Sequence, residues 1–241
     1  VPYGTTGGLN TVAVRMPVHE IAKEVIDAGG GYIAAPSANT SGRPSPTTAQ
    51  HVAEDLDGKV DMIVDGGAVD IGVESTILDM TVEPPMILRP GAITREMLED
   101  LIGEVAVDQT LIQPDSKKAP KAPGMKYRHY APKADLTIIE GNIDKVVEEI
   151  NRLAKVKLEE GYKVGIIGTS ETVGQYESGD VKCIGTREDE ATIASNLYGI
   201  LREFDDDKVD YIYSESFSSG GIGSAIMNRL LKAAGHHVIR I

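Results

Sequence analysis

Tyr32-Ile33-Ala34-Ala35-Pro36-Ser37-Ala38-Asn39-Thr40-Ser41-Gly42-Arg43-Pro44-Ser45-Pro46-Thr47 is the stretch around which the sequence is organised. The apolar run Tyr32 to Ala35 reads as a short buried strand. It stops at Pro36, which has no N–H to give to a sheet. Hydroxyls, one amide, one glycine and one arginine follow, held between three prolines. Ser45 suits a helix N-cap and Pro46 the first helical position. From Pro46 to Leu56 the spacing is helical, with Val52 and Leu56 on one face. The stretch therefore reads as strand, polar loop, helix. Free N–H groups at such a helix start favour an anion, phosphate above all. Ser37, Asn39, Ser41, Arg43 and Ser45 add polar contacts. An ordinary polar loop with a capped helix accounts for the same composition.

On the N-terminal side, Val1 to Asn10 is rich in Gly and Thr and reads as a loop. Thr11-Val12-Ala13-Val14-Arg15 reads as a strand, broken at Pro17. His19 to Ala28 has apolar residues at helical spacing, and Gly29-Gly30-Gly31 ends that helix. Arg15, at a strand end, is either a solvated charge or a grip for a carboxylate through two parallel hydrogen bonds. On the C-terminal side, Met62 to Asp65 reads as a strand ended by Gly66-Gly67. Ser75 to Asp79 is the next, with Glu74 and Ser75 at its mouth. Met86 to Arg89 follows the Pro84-Pro85 turn. Thr94 caps a helix reaching Ile102. Arg89, at a strand end before Pro90-Gly91, suits a phosphate-binding loop.

Four segments together resemble the YrdC-type threonylcarbamoyl-AMP synthases. They are Thr11-Val-Ala-Val-Arg-Met-Pro17, Pro36-Ser-Ala-Asn-Thr-Ser-Gly-Arg-Pro-Ser-Pro-Thr47, Gly72-Val-Glu-Ser-Thr-Ile77 and Ile87-Leu-Arg-Pro-Gly-Ala92. Pro123-Gly-Met-Lys-Tyr-Arg-His-Tyr-Ala-Pro132 resembles the linker of the family's long form. Gly221-Ile-Gly-Ser-Ala-Ile-Met-Asn-Arg-Leu230 resembles its C-terminal domain. The resemblance implies an ATP site at Thr11, Ser37, Asn39, Ser45 and Arg89. It implies a threonine site at Arg15, Ala35 and Ser75, and a lid at Tyr127, Arg128, His129 and Tyr130. It also implies a longer first domain. In the family, a strand-rich half with a Lys-x-Arg motif precedes the position of Val1, and no Lys-x-Arg equivalent stands at that place in this sequence.

The expected organisation is a YrdC-like α/β domain, N-terminally incomplete, over residues 1–108. A linker or lid covers 109–133, and a Rossmann-like parallel-sheet domain covers 134–241. The linker is assigned from its Pro and Lys content and lack of periodicity. Its tail is aromatic and basic, which leaves two readings, a staple between domains or a lid over the site. Beyond Ala134, strands at Leu136–Ile139, Lys163–Gly168, Lys182–Ile184, Val209–Tyr213 and His237–Ile241 alternate with helices at Asn142–Glu160, Glu190–Phe204 and Gly223–Ala234. Such alternation predicts a parallel sheet covered by helices. Gly165-Ile-Ile-Gly168 lacks dinucleotide spacing. Gly220-Gly221-Ile-Gly223 reads as a helix start and packing.

Composition narrows the function class. The net charge of -13 argues against a broad nucleic-acid surface. The single cysteine, Cys183, makes an internal disulfide impossible and suits a reducing cytoplasm. With no second thiol or clustered histidines, a zinc site is not expected. No apolar run is long enough to span a membrane.

The resemblance implies that L-threonine, bicarbonate and ATP give threonylcarbamoyl-AMP and pyrophosphate. The product would pass to a threonylcarbamoyl transferase that makes N6-threonylcarbamoyladenosine in tRNA. Mg2+ is expected with ATP, held mostly by phosphate and water, since no carboxylate cluster marks a site. No covalent nucleophile is required. Two other readings remain, a non-catalytic nucleotide- or RNA-binding module and a carbamoyl-transfer component of hydrogenase maturation.

Overall fold

A computed structural model of the chain describes residues 1–6, 8–108, 111 and 130–241. The chain divides into two compact units, residues 1–39 with 48–68 and residues 40–47 with 69–241.

The first unit holds a single turn α1 (Tyr3–Thr6), then α2 (Glu20–Ala28) and α3 (Ala49–Leu56). The expected strands at Thr11–Arg15, Tyr32–Ala35 and Met62–Asp65 do not form. Val12, Val14, Tyr32, Met62 and Val64 are all exposed. An apolar run records a tendency to pair; a strand exists only where a neighbour supplies the ladder. None does so here among the described residues. The loop is corrected too. The cap of α3 is Thr48, whose hydroxyl accepts from His51 N–H, rather than Ser45. Ser45 is engaged elsewhere, as shown below. Within this unit the His19 ring meets the Gly66 carbonyl at 3.1 Å.

The second unit carries both sheets. The small one pairs β1 (Ile77–Asp79) antiparallel with β2 (Met86–Arg89), and β2 parallel with β3 (Ala106–Val107). Helix α4 (Arg95–Ile102) starts at Thr94, which accepts from Met97 N–H as expected from the sequence. The large sheet consists of β4 (Asp135–Glu140), β5 (Val164–Gly168), β6 (Asp180–Cys183), β7 (Tyr211–Glu215) and β8 (Val238–Arg240). Their order is β6-β5-β7-β4-β8, and every pairing is parallel. The connecting helices are α5 (Ile143–Glu159), α6 (Glu190–Asp207) and α7 (Gly221–Ala233).

Alternation along the strands explains why both faces are covered. Leu136, Ile138, Ile167 and Ile212 point into a core shared with Leu197, Leu201, Ile226 and Leu230 of α6 and α7. Their neighbours Ile139, Ile166 and Tyr213 point into a second core with Val146, Ile150 and Ala154 of α5. A strand buried on both faces reads as a continuous apolar run, and β5 is buried at all five positions. Asn142 caps α5 and Asp189 caps α6 through their side chains. No helix among the described residues is long and apolar enough to cross a membrane.

Candidate active site

The second unit gathers a buried polar network around one carboxylate, Glu74. Ser45 Oγ donates to its Oε1 at 2.7 Å. Tyr198 OH lies 3.0 Å from both carboxylate oxygens. Arg229 Nε donates to Oε2 at 2.9 Å, and its Nη2 to the Glu74 backbone oxygen at 3.1 Å. Arg229 also donates to the Pro90 carbonyl at 2.5 Å. Arg202, equally buried on α6, donates to the Pro44 carbonyl at 2.7 Å. Burial alone would raise the Glu74 pKa. The Arg229 charge and the hydrogen bonds from Ser45 and Arg229 outweigh it and hold the carboxyl below its ordinary value. Burial, then the Glu74 charge, pushes the Tyr198 hydroxyl well above the ordinary tyrosine value, so it keeps its proton as a donor.

The next carbonyl along is gripped as well. Arg89 Nε and Nη2 donate to Ser75 O at 3.0 and 2.9 Å. Thr76 Oγ1 donates to Ile93 O at 2.6 Å. Two glycines permit these approaches. At Gly72 (φ +75°) an added Cβ would lie 2.3 Å from the Ala194 carbonyl oxygen of α6. At Gly91 it would lie 2.3 Å from Thr76 N. Arg89, Arg229 and Lys232 share this neighbourhood with Glu74. Three cations thus face one carboxylate in a protein of net charge -13. Burial first, then Arg229, depresses the Lys232 ammonium to about 8. Such a surplus suits an anion.

The residues named from the sequence fall as follows. Ser45, Ser75 and Arg89 lie in the second unit, joined through Glu74 and its backbone. Thr11, Arg15, Ala35, Ser37 and Asn39 lie in the first unit. Thr11, Arg15, Ala35 and Ser37 are exposed and Asn39 is half-buried. Of the lid residues, Tyr130 is buried, its ring centroid 5.3 Å from that of Tyr198. Tyr127, Arg128 and His129 lie outside the described residues. Sequence reasoning missed Tyr198, Arg202 and Arg229. A signal existed: Arg229 stands at helical spacing from Ala225, Ile226 and Ala233, a charge on an apolar face.

The large sheet has its own concavity. β4 and β7 are neighbours whose helical connections leave in opposite directions, which opens a crevice at their C-terminal ends. A cavity of about 350 Å³ lies there, lined by Gly141, Arg187, Glu190, Ser216, Phe217 and Ser218. Behind it Glu215, 0% exposed, is met by Arg187 at 2.5 Å and by Tyr176 OH at 2.7 Å. At Gly223 an added Cβ would meet Ser218 Oγ at 2.1 Å. Gly223 therefore serves packing, whereas nothing lies within 4 Å of an added Cβ at Gly220 or Gly221.

Residues 93–235 match the family described as threonylcarbamoyl-AMP synthase, C-terminal domain. Residues 1–91 match the Sua5, YciO and YrdC family, described as telomere recombination. The chain belongs to the threonylcarbamoyl-AMP synthase family. It is 51% identical over 235 residues to the threonylcarbamoyl-AMP synthase of Bacillus subtilis, covering 98% of this chain and 66% of that protein. It is 49% identical over 241 residues to the Pyrococcus abyssi enzyme of that name, covering 100% of this chain and 69% of the relative. A crystal structure of P. abyssi Sua5 complexed with L-threonine superimposes with a TM-score of 0.91 at 47% identity, over 100% of this chain and 69% of that one. The family thus agrees with the resemblance carried by the sequence motifs. The α/β fold with its parallel-sheet domain agrees with the expected class.

Proposed function

We propose that the protein makes threonylcarbamoyl-AMP and pyrophosphate from L-threonine, bicarbonate and ATP, as a nucleotidyltransferase. The observation that carries the reading is the match, over 98–100% of this chain and 66–69% of theirs, to relatives of that name, one of them crystallised with L-threonine. Carbon dioxide, formed from bicarbonate with overall loss of water, adds to the threonine amine to give a carbamate. A carbamate oxygen then attacks the α-phosphorus of ATP, and pyrophosphate leaves. This chemistry needs positioning and charge stabilisation more than a nucleophilic side chain. Arg15 grips the threonine carboxylate, with Ala35 and Ser75 against the substrate. Thr11, Ser37, Asn39, Ser45 and Arg89 bind the nucleotide. The cation surplus beside Arg89 and Ser45 supports a polyphosphate there. Tyr127, Arg128, His129 and Tyr130 close over the substrates and exclude water.

Among the described residues no three His, Cys, Asp or Glu converge as metal ligands. Mg2+ would arrive with ATP, held by phosphate oxygens and water, and no step is assigned to it. The product passes to a tRNA-modifying threonylcarbamoyl transferase in the cytoplasm. The deciding experiment uses the intact protein with radiolabelled bicarbonate, L-threonine and ATP. Formation of labelled threonylcarbamoyl-AMP dependent on all three supports the reading. ATP turnover indifferent to threonine overturns it.

A further inference from the structure

Ser75 is an exposed side chain on a backbone fixed from every side. Its hydroxyl makes no hydrogen bond among the described residues, while both flanking carbonyls are taken by guanidinium groups. Glu74 O accepts from Arg229 Nη2 and Ser75 O accepts from Arg89. The Glu74 side chain is held at both oxygens by Ser45, Tyr198 and Arg229. Arg229 is 1% exposed and Tyr198 fully buried. Both belong to helices of the large-sheet domain, which carries none of the residues proposed to touch threonine.

We infer that Tyr198 and Arg229 are positioning residues for the L-threonine site, acting through Glu74 on Ser75. This rests on the proposed role of Ser75 as a threonine contact. Three observations favour it over a plain structural clamp. A buried ion pair adds little net stability over an apolar replacement of the same volume, so stability alone gives weak cause for this one. Four of the polar contacts of Tyr198 and Arg229 go to Glu74, with one more from Arg229 to the Pro90 carbonyl beside Arg89. The side chain of that segment left without a hydrogen bond among the described residues is the hydroxyl proposed to meet substrate. A binding group held this way needs no reordering when its ligand arrives, which is how a supporting shell raises affinity.

The consequence is that the large-sheet domain sets threonine affinity without touching threonine. Tyr198→Phe removes one hydroxyl and keeps the ring in its core. Arg229→Lys keeps the charge but loses the paired donors that span the Glu74 side chain and backbone. Ile226→Val, on the same helix as Arg229 and fully buried, lowers stability without touching the network.

L-Threonine binding to the intact protein is measured by calorimetry, together with KM for threonine and for ATP, at a temperature where circular dichroism shows every variant folded. The expected result is an approximately tenfold weaker threonine Kd and a matching rise in threonine KM for Tyr198→Phe, the effect of losing one hydrogen bond to a charged group. Arg229→Lys shifts in the same direction, and Ile226→Val binds as wild type. Should Arg229→Lys fail to fold, Tyr198→Phe decides alone. Wild-type binding in a folded Tyr198→Phe overturns the inference, as does an equal loss in Ile226→Val. A wild-type protein that binds no L-threonine overturns the functional reading and the inference with it.

Discussion

Arg229 holds Glu74 twice, from Nε to the carboxylate at 2.9 Å and from Nη2 to the backbone carbonyl at 3.1 Å. The two residues are 155 positions apart in the chain. Removing Arg229 leaves the largely buried Glu74 carboxylate without its closest counter-ion. Arg229→Met is therefore expected to cost about 3–5 kcal/mol. Arg229→Met combined with Glu74→Gln is expected to cost less than the sum of the single changes, because the second change removes the stranded charge. Urea unfolding of the four proteins checks this, and strict additivity contradicts the pairing.

The same pair predicts an acid limit. The folded pKa of Glu74 lies below its ordinary 4.5. Between those values the unfolded chain binds more protons than the folded one. The stabilisation from ionised Glu74 is thus complete above pH 4.5 and falls as pH drops through the folded value. Melting curves from pH 7 downward should show wild type losing its advantage over Glu74→Gln in that window. A constant difference across it argues that Glu74 is not held ionised by Arg229.

Gly72 and Gly91 are required by contact, and Gly72 also by backbone conformation. An alanine at Gly72 puts Cβ 2.3 Å from a carbonyl oxygen of α6 and adopts a left-handed φ of +75°. An alanine at Gly91 meets the backbone N of Thr76 at 2.3 Å. Backbone neighbours cannot swing away as a side chain can. Either substitution should lower stability by roughly 1–3 kcal/mol, the ordinary cost of overpacking. Gly103→Ala gives the comparison, since its φ is +82° but nothing lies within 4 Å. A smaller loss there isolates the contact contribution from the conformational one.

The large-sheet domain was legible in the sequence because its rules are local. Short, mostly apolar strands alternate with helices whose caps, Asn142 and Asp189, stand at the expected starts. Thr94 was equally plain. The first unit was not, because Thr11–Arg15 and Tyr32–Ala35 are strand-like only if another strand pairs with them. The start of α3 was misplaced by three residues for a related reason. Ser45 has the right chemistry for a cap, but a carboxylate 29 positions away takes its hydroxyl. Long-range pairing also hid the network. Glu74 was visible as a residue at a strand mouth, whereas its partners on α6 and α7 show only as charges and a hydroxyl on apolar helix faces.

The nucleotide assignment is tested by two changes. Ser37→Ala and Arg89→Ala are each expected to weaken ATP binding, with Arg89→Ala costing roughly 1.5–3 kcal/mol as the loss of a charged contact. Arg89→Ala also frees the Ser75 carbonyl, so threonine KM should rise with it. Arg15→Ala should raise threonine KM far more than ATP KM. Unchanged nucleotide titrations for both Ser37→Ala and Arg89→Ala would move the ATP site elsewhere.

Lys232 gives a prediction of the same pH sense but the opposite energetic sign, a charge that costs stability rather than adding to it. It is 7% exposed, and burial, reinforced by Arg229, lowers its ammonium from 10.5 to about 8. Below pH 8 both folded and unfolded chains hold the proton, and the folded state bears the whole cost of the buried charge. Between 8 and 10.5 the unfolded chain binds more protons, so stability rises with pH. Above 10.5 both forms are neutral and the cost is gone. Lys232→Met removes the charge and keeps most of the volume. The variant should melt higher than wild type at pH 7, and the gap should narrow steadily as pH passes through 8 towards 10.5. Measuring both proteins at low ionic strength, with and without pyrophosphate, adds a second arm. An anion drawn to Arg89, Arg229 and Lys232 should close part of the gap at pH 7 by stabilising wild type more than the variant, which keeps only two of the three cations. A variant that melts lower than wild type at pH 7 without pyrophosphate contradicts the strained ammonium.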